Sequence, residues 1–203
     1  MLQKHRSWFV VGALLVVVGG LFLWSASLQE KAPKGSLESL ATTEAPWPAE
    51  LIHLRERLSA IGLPALKAEG NALHIHQHLD IFVHGKPVAI PQGIGIFEGV
   101  GGYIASVHVH DLSGIVHVES PTVQDFSLGQ VFDIWGVRFT NDCIGGYCAD
   151  ATNTLQLLVD GKPYVGDLRS LKLTPHQEIV VLFGSVSETP TTTPTTYTFP
   201  QGY

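Results

Sequence analysis

Sulfur-containing and charged side chains are both scarce in this chain of 203 residues. The sequence contains two cysteines, Cys143 and Cys148, and a single methionine, Met1. Copper(I) handling through methionine clusters is therefore excluded, because it needs several thioethers. Charged residues make up 15% of the chain, below the roughly 25% that is usual for soluble domains. The apolar content of 45% is too high for a wholly disordered chain.

Charge and histidine are unevenly distributed along the chain. The first 34 residues carry four basic residues and one acidic residue, whereas the remainder carries eight basic and seventeen acidic residues. An acidic body repels phosphate backbones, which argues against nucleic-acid binding and favours cations as ligands. Histidine is in excess: seven of the ten histidines lie between His74 and His117.

The N-terminus predicts an exported protein. A basic stub, residues 1–7, precedes an uncharged run from Trp8 to Trp24. The run predicts a single transmembrane anchor over residues 8–27, with the stub in the cytoplasm and the rest of the chain extracytoplasmic at the cell membrane. A cleaved signal peptide is the alternative, because Ser25-Ala26-Ser27 is an acceptable small-x-small cleavage site. Both interpretations export the domain.

Composition divides the remainder into three parts, which are a linker over residues 28–48, one β-rich domain over 49–184 and a disordered Thr/Pro-rich tail over 185–203. The domain has the length of one ordinary folding unit. Within it, residues 73–120 form a histidine-rich unit and residues 150–184 a second unit. The predicted fold class is α+β with mainly antiparallel strands.

Local patterns predict the elements of the domain. Leucine at 51, 54 and 58, with Ile61, predicts a helix that ends at Gly62 and serves either as a lid on the domain or as a stalk. From Leu73 the period changes to two, which predicts a half-buried strand followed by a tight turn. Asp111–Gly114 predicts a hairpin turn, residues 127–135 a short helix capped by Ser127, and residues 154–160 and 177–183 two more strands.

Two pairs of segments resemble each other. Residues 79–87 match residues 155–163, and residues 114–119 match residues 178–183. These matches predict a tandem repeat of a β-hairpin unit joined by the 127–135 helix. The alternative is that Val-x-Gly-Lys-Pro is a common hairpin turn that occurs here twice.

Histidines on alternate residues of predicted strands indicate a metal site. His108 and His110 share one strand face, and a turn over Asp111–Gly114 places His108 directly opposite His117. Cross-strand partners have Cβ atoms about 5 Å apart, close enough for two imidazoles to share an ion. Imidazole is a common ligand of zinc, copper and nickel.

His108, His110 and His117 are therefore the predicted ligands of a first ion. One of His76 or His78 could complete the set if the first strand lies alongside. His74 and His78 are too far apart along a strand to share an ion. Two carboxylates, Asp80 and Glu119, are candidates either for ligation or for orienting a histidine. Two ions remain an open alternative.

The two cysteines predict a small disulfide loop, Cys143–Cys148, because an exported domain meets an oxidising environment. A disulfide removes both thiolates as ligands and so disfavours a blue-copper site. Nitrogen and oxygen ligation remains, and it makes Zn(II) or Cu(II) the expected divalent metal. A redox-active cysteine pair is the alternative, although the spacing is not C-x-x-C.

Two resemblances follow from these motifs. The segment Gly102-x5-His108-x-His110 is similar to the opening of the cupin metal motif, but Ile115 stands where cupins carry glutamate. The blocks HIHQHLD (74–80), HVHDLSGIVHVES (108–120), SLGQVFDIWG (127–136) and CIGGYC (143–148) resemble those of a set of uncharacterised prokaryotic membrane-anchored extracytoplasmic proteins. That resemblance implies the same location and a histidine cluster, and it implies no activity.

Three functions are consistent with these patterns. The leading one is a membrane-tethered extracytoplasmic domain that binds Zn(II) or Cu(II) as a buffer, carrier or sensor. The second is a metal-dependent hydrolase, hydratase or cupin-like oxygenase, although the chain has no nucleophile elbow, phosphate loop or HExxH motif. The third is a structural or partner-binding β domain whose histidines sense pH.

Overall fold

The computed structural model describes residues 39–203. The predicted cytoplasmic stub, the predicted anchor over residues 8–27 and the first part of the predicted linker lie outside the described residues. Within residues 39–203, no helix has both the length and the apolar character needed to cross a membrane. The described residues all belong to one compact unit.

Short helices and eleven strands make up the described part of the chain. The helical segments are α1 (Leu54–Ala60), α2 (Leu128–Trp135) and a single 3₁₀ turn (Leu168–Ser170). The strands are β1 (Leu73–Val83), β2 (Lys86–Val88), β3 (Ile96–Phe97), β4 (Tyr103–Ile104), β5 (Val107–His108), β6 (Ile115–Ser120), β7 (Cys143–Ile144), β8 (Tyr147–Cys148), β9 (Thr154–Val159), β10 (Lys162–Pro163) and β11 (Glu178–Gly184). The predicted α+β class is confirmed.

The main sheet has seven strands in the order β10-β9-β11-β1-β6-β5, and β2 also pairs with β1. Every pair in it is antiparallel except β1 with β11, which run parallel. The long strand β1 therefore lies in the middle and connects the histidine-rich half of the sheet to the second half.

The two faces of this sheet differ in chemistry. One face, here called the core face, carries Leu79, Ile81, Val118 and Val181 into the hydrophobic core, where they join α2. The opposite face carries the even-numbered residues of β1 and, through the pairing of His76 with His117, the odd-numbered residues of β6. We call this opposite face the histidine face.

Helix α2 forms where the sequence predicts it. The backbone N–H of Ser127 donates to Oε1 of Gln130 at 3.0 Å, and Gly136 ends the helix in the left-handed conformation with φ of 86°. Glycine reaches that conformation at no steric cost, which is why the helix ends there. Phe132 and Trp135 are fully buried beneath the sheet.

Helix α1 packs on the domain rather than extending from it as a stalk. Leu54 and Leu58 are buried. The buried guanidinium of Arg57 donates from Nε to the carbonyl of Asp133 at 2.7 Å and from Nη2 to that of Ile134 at 3.0 Å. These bonds satisfy carbonyls at the C-terminal end of α2, which would otherwise lack partners.

The first of the two sequence matches forms the same local structure twice. His84 and Gly85, which follow β1, have φ of 48° and 71°, and Asp160 and Gly161, which follow β9, have φ of 50° and 74°. Two successive residues with positive φ make the tight turn that suits a two-residue hairpin.

The second match does not correspond in space. His117 pairs with His76 and lies on the histidine face, whereas Val181 pairs with Ile81 and packs in the core. Because a shift of one residue turns every side chain to the other face, aligned residues that face opposite sides do not occupy equivalent positions. The tandem repeat is thus limited to the hairpin turns.

The predicted linker and tail both contact the domain in their described parts. Trp47, placed by the sequence in the linker, is 2% exposed and packs edge-on against Trp135. Residues 185–203 contain no helix or strand. Tyr197 nevertheless stacks on His78 at 3.8 Å between ring centroids, and Tyr203 lies 4.6 Å from His76. Disorder of the tail stays a prediction from composition, which cannot foresee these aromatic contacts.

The predicted disulfide is confirmed. Cys143 and Cys148 are bonded across the hairpin formed by β7 and β8. This hairpin lies between α2 and β9 in the chain, as the sequence predicts.

Candidate metal centre

A row of three histidines crosses three neighbouring strands on the histidine face. His117 on β6 pairs with His108 on β5 and with His76 on β1. The pairing of His108 with His117 confirms the register predicted from the Asp111–Gly114 turn. The turn itself is fixed by Asp111, whose Oδ1 accepts from the backbone N–H of Ser113 at 2.8 Å.

Four side chains at this row could hold one metal ion. His108, His110, His117 and Glu119 offer ligand atoms that all lie within 4.8 Å of one another. Nε2 of His108 is 3.1 Å from Nε2 of His110, and Nδ1 of His117 is 3.3 Å from Oε1 of Glu119. Ligand atoms around a tetrahedral ion with bonds of about 2.1 Å lie about 3.4 Å apart, so these two separations are close to ligand spacing.

The tautomer of His108 is set by the backbone. Its Nδ1 lies 3.0 Å from the carbonyl oxygen of Ala105, which can only accept, so Nδ1 carries the hydrogen. The lone pair of the neutral ring is then on Nε2, the nitrogen that faces His110. Backbone orientation of this kind is typical of histidines that bind metals.

His76 belongs to a second group and does not complete the first one as predicted. His74, His76 and Glu119 form a set of possible ligands whose atoms also lie within 4.8 Å of one another. Nε2 of His74 is 3.2 Å from Nε2 of His76 and 3.3 Å from Oε1 of Glu119. A carboxylate, rather than a fourth histidine, completes the first group, because Glu119 follows His117 on the same face of β6.

His78 and Asp80 lie in a third group with Glu178, away from the histidine row. Nδ1 of His78 is 3.0 Å from Glu178 and 3.7 Å from Asp80, while its Nε2 lies 2.8 Å from the carbonyl oxygen of Ser113. The structure thus places His78 apart from His108, in a separate set of possible metal ligands with Asp80 and Glu178. The cross-strand partner of His78 on β6 is Ile115, which offers no ligand atom.

Burial keeps the central histidines neutral. Burial, with the nearby charges of His74, His176 and His110, lowers the pKa of His76 to about 4. Burial also lowers the pKa of His108 to about 4, with His110 adding to the effect. Burial and the neighbouring His108 and His110 lower the pKa of His117 to about 3. These three imidazoles hold free lone pairs at neutral pH, so a metal ion would not have to displace protons from them.

The pKa values of Glu119 and His78 are both raised, but for different reasons. Burial raises the pKa of Glu119, and the charge of Glu69 raises it further. Burial by itself would lower the pKa of His78, but its hydrogen bond to Glu178 and the charges of Glu178 and Asp80 raise it overall. The pKa of His78 is thus shifted in the opposite direction to those of His76, His108 and His117.

Two residues at the site carry no sequence signal. Oε1 of Glu69, in the loop before β1, lies 3.4 Å from Nε2 of His110. Tyr203, in the tail, lies 5.4 Å from His117 between ring centroids. Both help to line a pocket of about 260 Å³ that opens onto the ligand atoms; its other lining residues are His74, His76, His110, His117, Glu119 and Gly202. Neither residue belongs to a periodic strand, so no local pattern points to it.

Comparisons of this chain with protein-family models, with curated proteins and with solved structures found no match. The predicted resemblance to membrane-anchored extracytoplasmic proteins therefore stays a prediction.

Proposed function

We propose that this chain is a membrane-tethered extracytoplasmic protein that binds Zn(II) or Cu(II) as a buffer, carrier or sensor. The observation that carries the proposal is the group of His108, His110, His117 and Glu119, whose ligand atoms all lie within 4.8 Å of one another. The extracytoplasmic location follows from the basic stub and apolar run of the sequence, and the disulfide is consistent with it.

The choice of metal follows from the donor atoms. Three imidazole nitrogens and one carboxylate oxygen suit Zn(II) in tetrahedral geometry and Cu(II) in tetragonal geometry. Both cysteines are committed to the disulfide, so no thiolate is available. The pKa values of His76, His108 and His117, which are about 4, about 4 and about 3, lie below the physiological range and weigh against these three histidines as a pH sensor.

The test is a calorimetric titration of the full-length chain with Zn(II) and with Cu(II), after removal of metal with a chelator. The wild-type chain should bind tightly, and His108→Ala combined with His117→Ala should abolish tight binding. Metal should also raise the melting temperature, since a ligand present at 100 times its Kd stabilises the folded state by about 2.7 kcal/mol.

His176→Asn is the matched control. His176 belongs to none of the possible ligand groups. Its φ of 63° favours asparagine over alanine as a replacement, because asparagine tolerates the left-handed region. Equal loss of binding in the control and in the double variant would contradict the ligand assignment.

A second candidate function is a metal-dependent hydrolase or hydratase. The pocket of about 260 Å³ opens onto the ligand atoms and leaves room for a small substrate. A zinc ion with three histidine ligands and an open position would activate water. Zinc-dependent hydrolysis of p-nitrophenyl acetate, lost in the double variant and retained in the control, would support it, and no turnover above the metal-free protein would remove it.

A further inference from the structure

Among residues 39–203, Glu119 is the one side chain shared by two possible metal-binding groups on the histidine face. It completes the set of His108, His110 and His117, and it also completes the set of His74 and His76. The position follows from the sheet, because Glu119 pairs with His74 across β1 and β6 and follows His117 by two residues on β6. It therefore lies between the two sets of imidazoles.

The distances around Glu119 match coordination on both sides. Its Oε1 lies 3.3 Å from Nε2 of His74 and 3.3 Å from Nδ1 of His117. Neighbouring ligands of a tetrahedral ion are about 3.4 Å apart, so this oxygen stands at ligand spacing from a nitrogen of each set. A carboxylate has two oxygens with about four lone-pair positions, enough to bind an ion on each side.

A single ion cannot use all the donors. The ligand atoms of His74 and His76 fall into a group separate from those of His108 and His110. An ion bound by His108, His110, His117 and Glu119 already has the four ligands of a tetrahedral site. His74 and His76, whose Nε2 atoms lie 3.2 Å apart, are then left beside it as a second pair of donors.

We propose that the histidine face holds two divalent ions bridged by the carboxylate of Glu119. The first ion binds to His108, His110 and His117, and the second binds to His74 and His76. This inference rests on the proposed metal-binding function and adds the number of ions and the role of Glu119. Carboxylates offset charge between paired ions, which lie about 3.5–4 Å apart in two-metal sites.

The number of ligands predicts that the two ions bind with different affinities. Each set includes one exposed side chain, His110 at 41% in the first and His74 at 52% in the second, so burial does not rank the two sites. The first ion has three histidine ligands beside the shared carboxylate, and the second has two. The first ion should therefore bind in a tight phase and the second in a weaker one.

The experiment measures stoichiometry and coupling on the full-length chain, stripped of metal and kept in a mild detergent. Zn(II) is titrated calorimetrically, bound zinc is quantified by inductively coupled plasma mass spectrometry, and Cu(II) loading is followed by electron paramagnetic resonance. The variants are His74→Ala, His74→Ala with His76→Ala, His108→Ala with His117→Ala, Glu119→Gln and the control His176→Asn. Circular dichroism checks that each variant is folded. His74→Ala should disturb the fold least, because the side chain of His74 is exposed.

Wild type and the control should bind two equivalents of Zn(II) and give a magnetically coupled Cu(II) spectrum. The His74→Ala/His76→Ala variant should keep one tight equivalent and lose the coupling. Glu119→Gln should weaken both phases by about 10- to 100-fold, the range seen when a supporting group at a metal site is lost.

The outcomes separate the two proposals. No zinc binding by the wild type would overturn the proposed function together with the bridge. One equivalent, lost in His108→Ala/His117→Ala but unaffected by His74→Ala, would retain the metal-binding function and overturn the second ion. Two equivalents of which only one responds to Glu119→Gln would overturn the shared carboxylate.

Discussion

Acid should destabilise the metal-free protein through three buried histidines. His76, His108 and His117 are 5%, 0% and 5% exposed. Their pKa values in the fold are about 4, about 4 and about 3, and burial is the largest cause of each shift. An unfolded histidine titrates near 6.5, so the unfolded chain binds more protons than the folded one wherever the pH lies between these values.

The sign of the effect follows from this difference. Stability falls when the unfolded state gains protons that the folded state does not. Above about pH 7 all three imidazoles are neutral in both states, and they contribute no pH dependence. The loss begins as the pH falls through 6.5 and continues to about 4, where the folded state also takes up protons.

The size of the loss is large for a domain of this length. At pH 5 each of the three histidines should lower the free energy of unfolding by about 2 kcal/mol, or about 6 kcal/mol together. Whole domains are stable by about 5–15 kcal/mol. The raised pKa values of His78, Glu119 and Glu178 act in the opposite direction, because for these groups the folded state binds more protons than the unfolded one, so the net loss at pH 5 should be smaller than this sum.

Urea unfolding followed by far-ultraviolet circular dichroism measures this directly. The free energy of unfolding is determined at pH 7, 6 and 5 in the presence of a chelator. His117→Gln keeps a polar side chain of similar size without the titrating ring, so its loss between pH 7 and pH 5 should be smaller by about 2 kcal/mol. A loss between pH 7 and pH 5 that is as large in His117→Gln as in the wild type would refute the argument that His117 is buried and neutral.

Three further predictions concern the parts that hold the site in place. Replacing Cys143 and Cys148 with serine should lower the free energy of unfolding by about 2 kcal/mol, measured in urea. The affinity for Zn(II) should not change, because neither residue is in a ligand group. A weaker affinity would return the cysteines to the ligand set. Arg57→Met should lower the free energy of unfolding by about 3–5 kcal/mol in the same assay, because it removes the buried partner of Glu50 and of two α2 carbonyls. A loss below about 1 kcal/mol would contradict that role. Deleting residues 197–203 should expose His76 and His117, which Tyr203 covers, and move their pKa values toward 6.5. Nuclear magnetic resonance titration of the imidazole protons measures these pKa values, and unchanged values would contradict the prediction.

The sequence predicts the metal-binding row where local geometry determines it. A turn over Asp111–Gly114 can pair its flanking strands in only one way, so the contact of His108 with His117 follows from counting residues. The cap of α2 and the disulfide are likewise local, since each depends on residues within ten positions of one another. Short-range physics is enough for these features.

Pairings over longer separations could not be predicted in the same way. Which histidine of β1 lies beside His117 depends on the register of β1 against β6, and these strands lie more than thirty residues apart in the chain. The alternation of β1 is the same for His76 and His78, so the pattern does not choose between them. Glu69 is also beyond local prediction, because it lies in a loop that no periodicity describes.

The composition of the tail matches the surface that it covers. On the second half of the sheet the histidine face is mainly apolar, and Leu158 and Leu182 line a groove with the threonine- and proline-rich residues 189–193. On the first half the same face carries imidazoles, and there the tail supplies Tyr197 over His78 and Tyr203 over His76. Tyr203 also lies beside His117 and so adds to the burial of His76 and His117, whereas Tyr197 covers His78, whose pKa is raised by its carboxylate partners. Burial is the largest cause of the lowered pKa values of His76 and His117. Part of that burial comes from a residue of the tail, which the alternation of the strands does not predict.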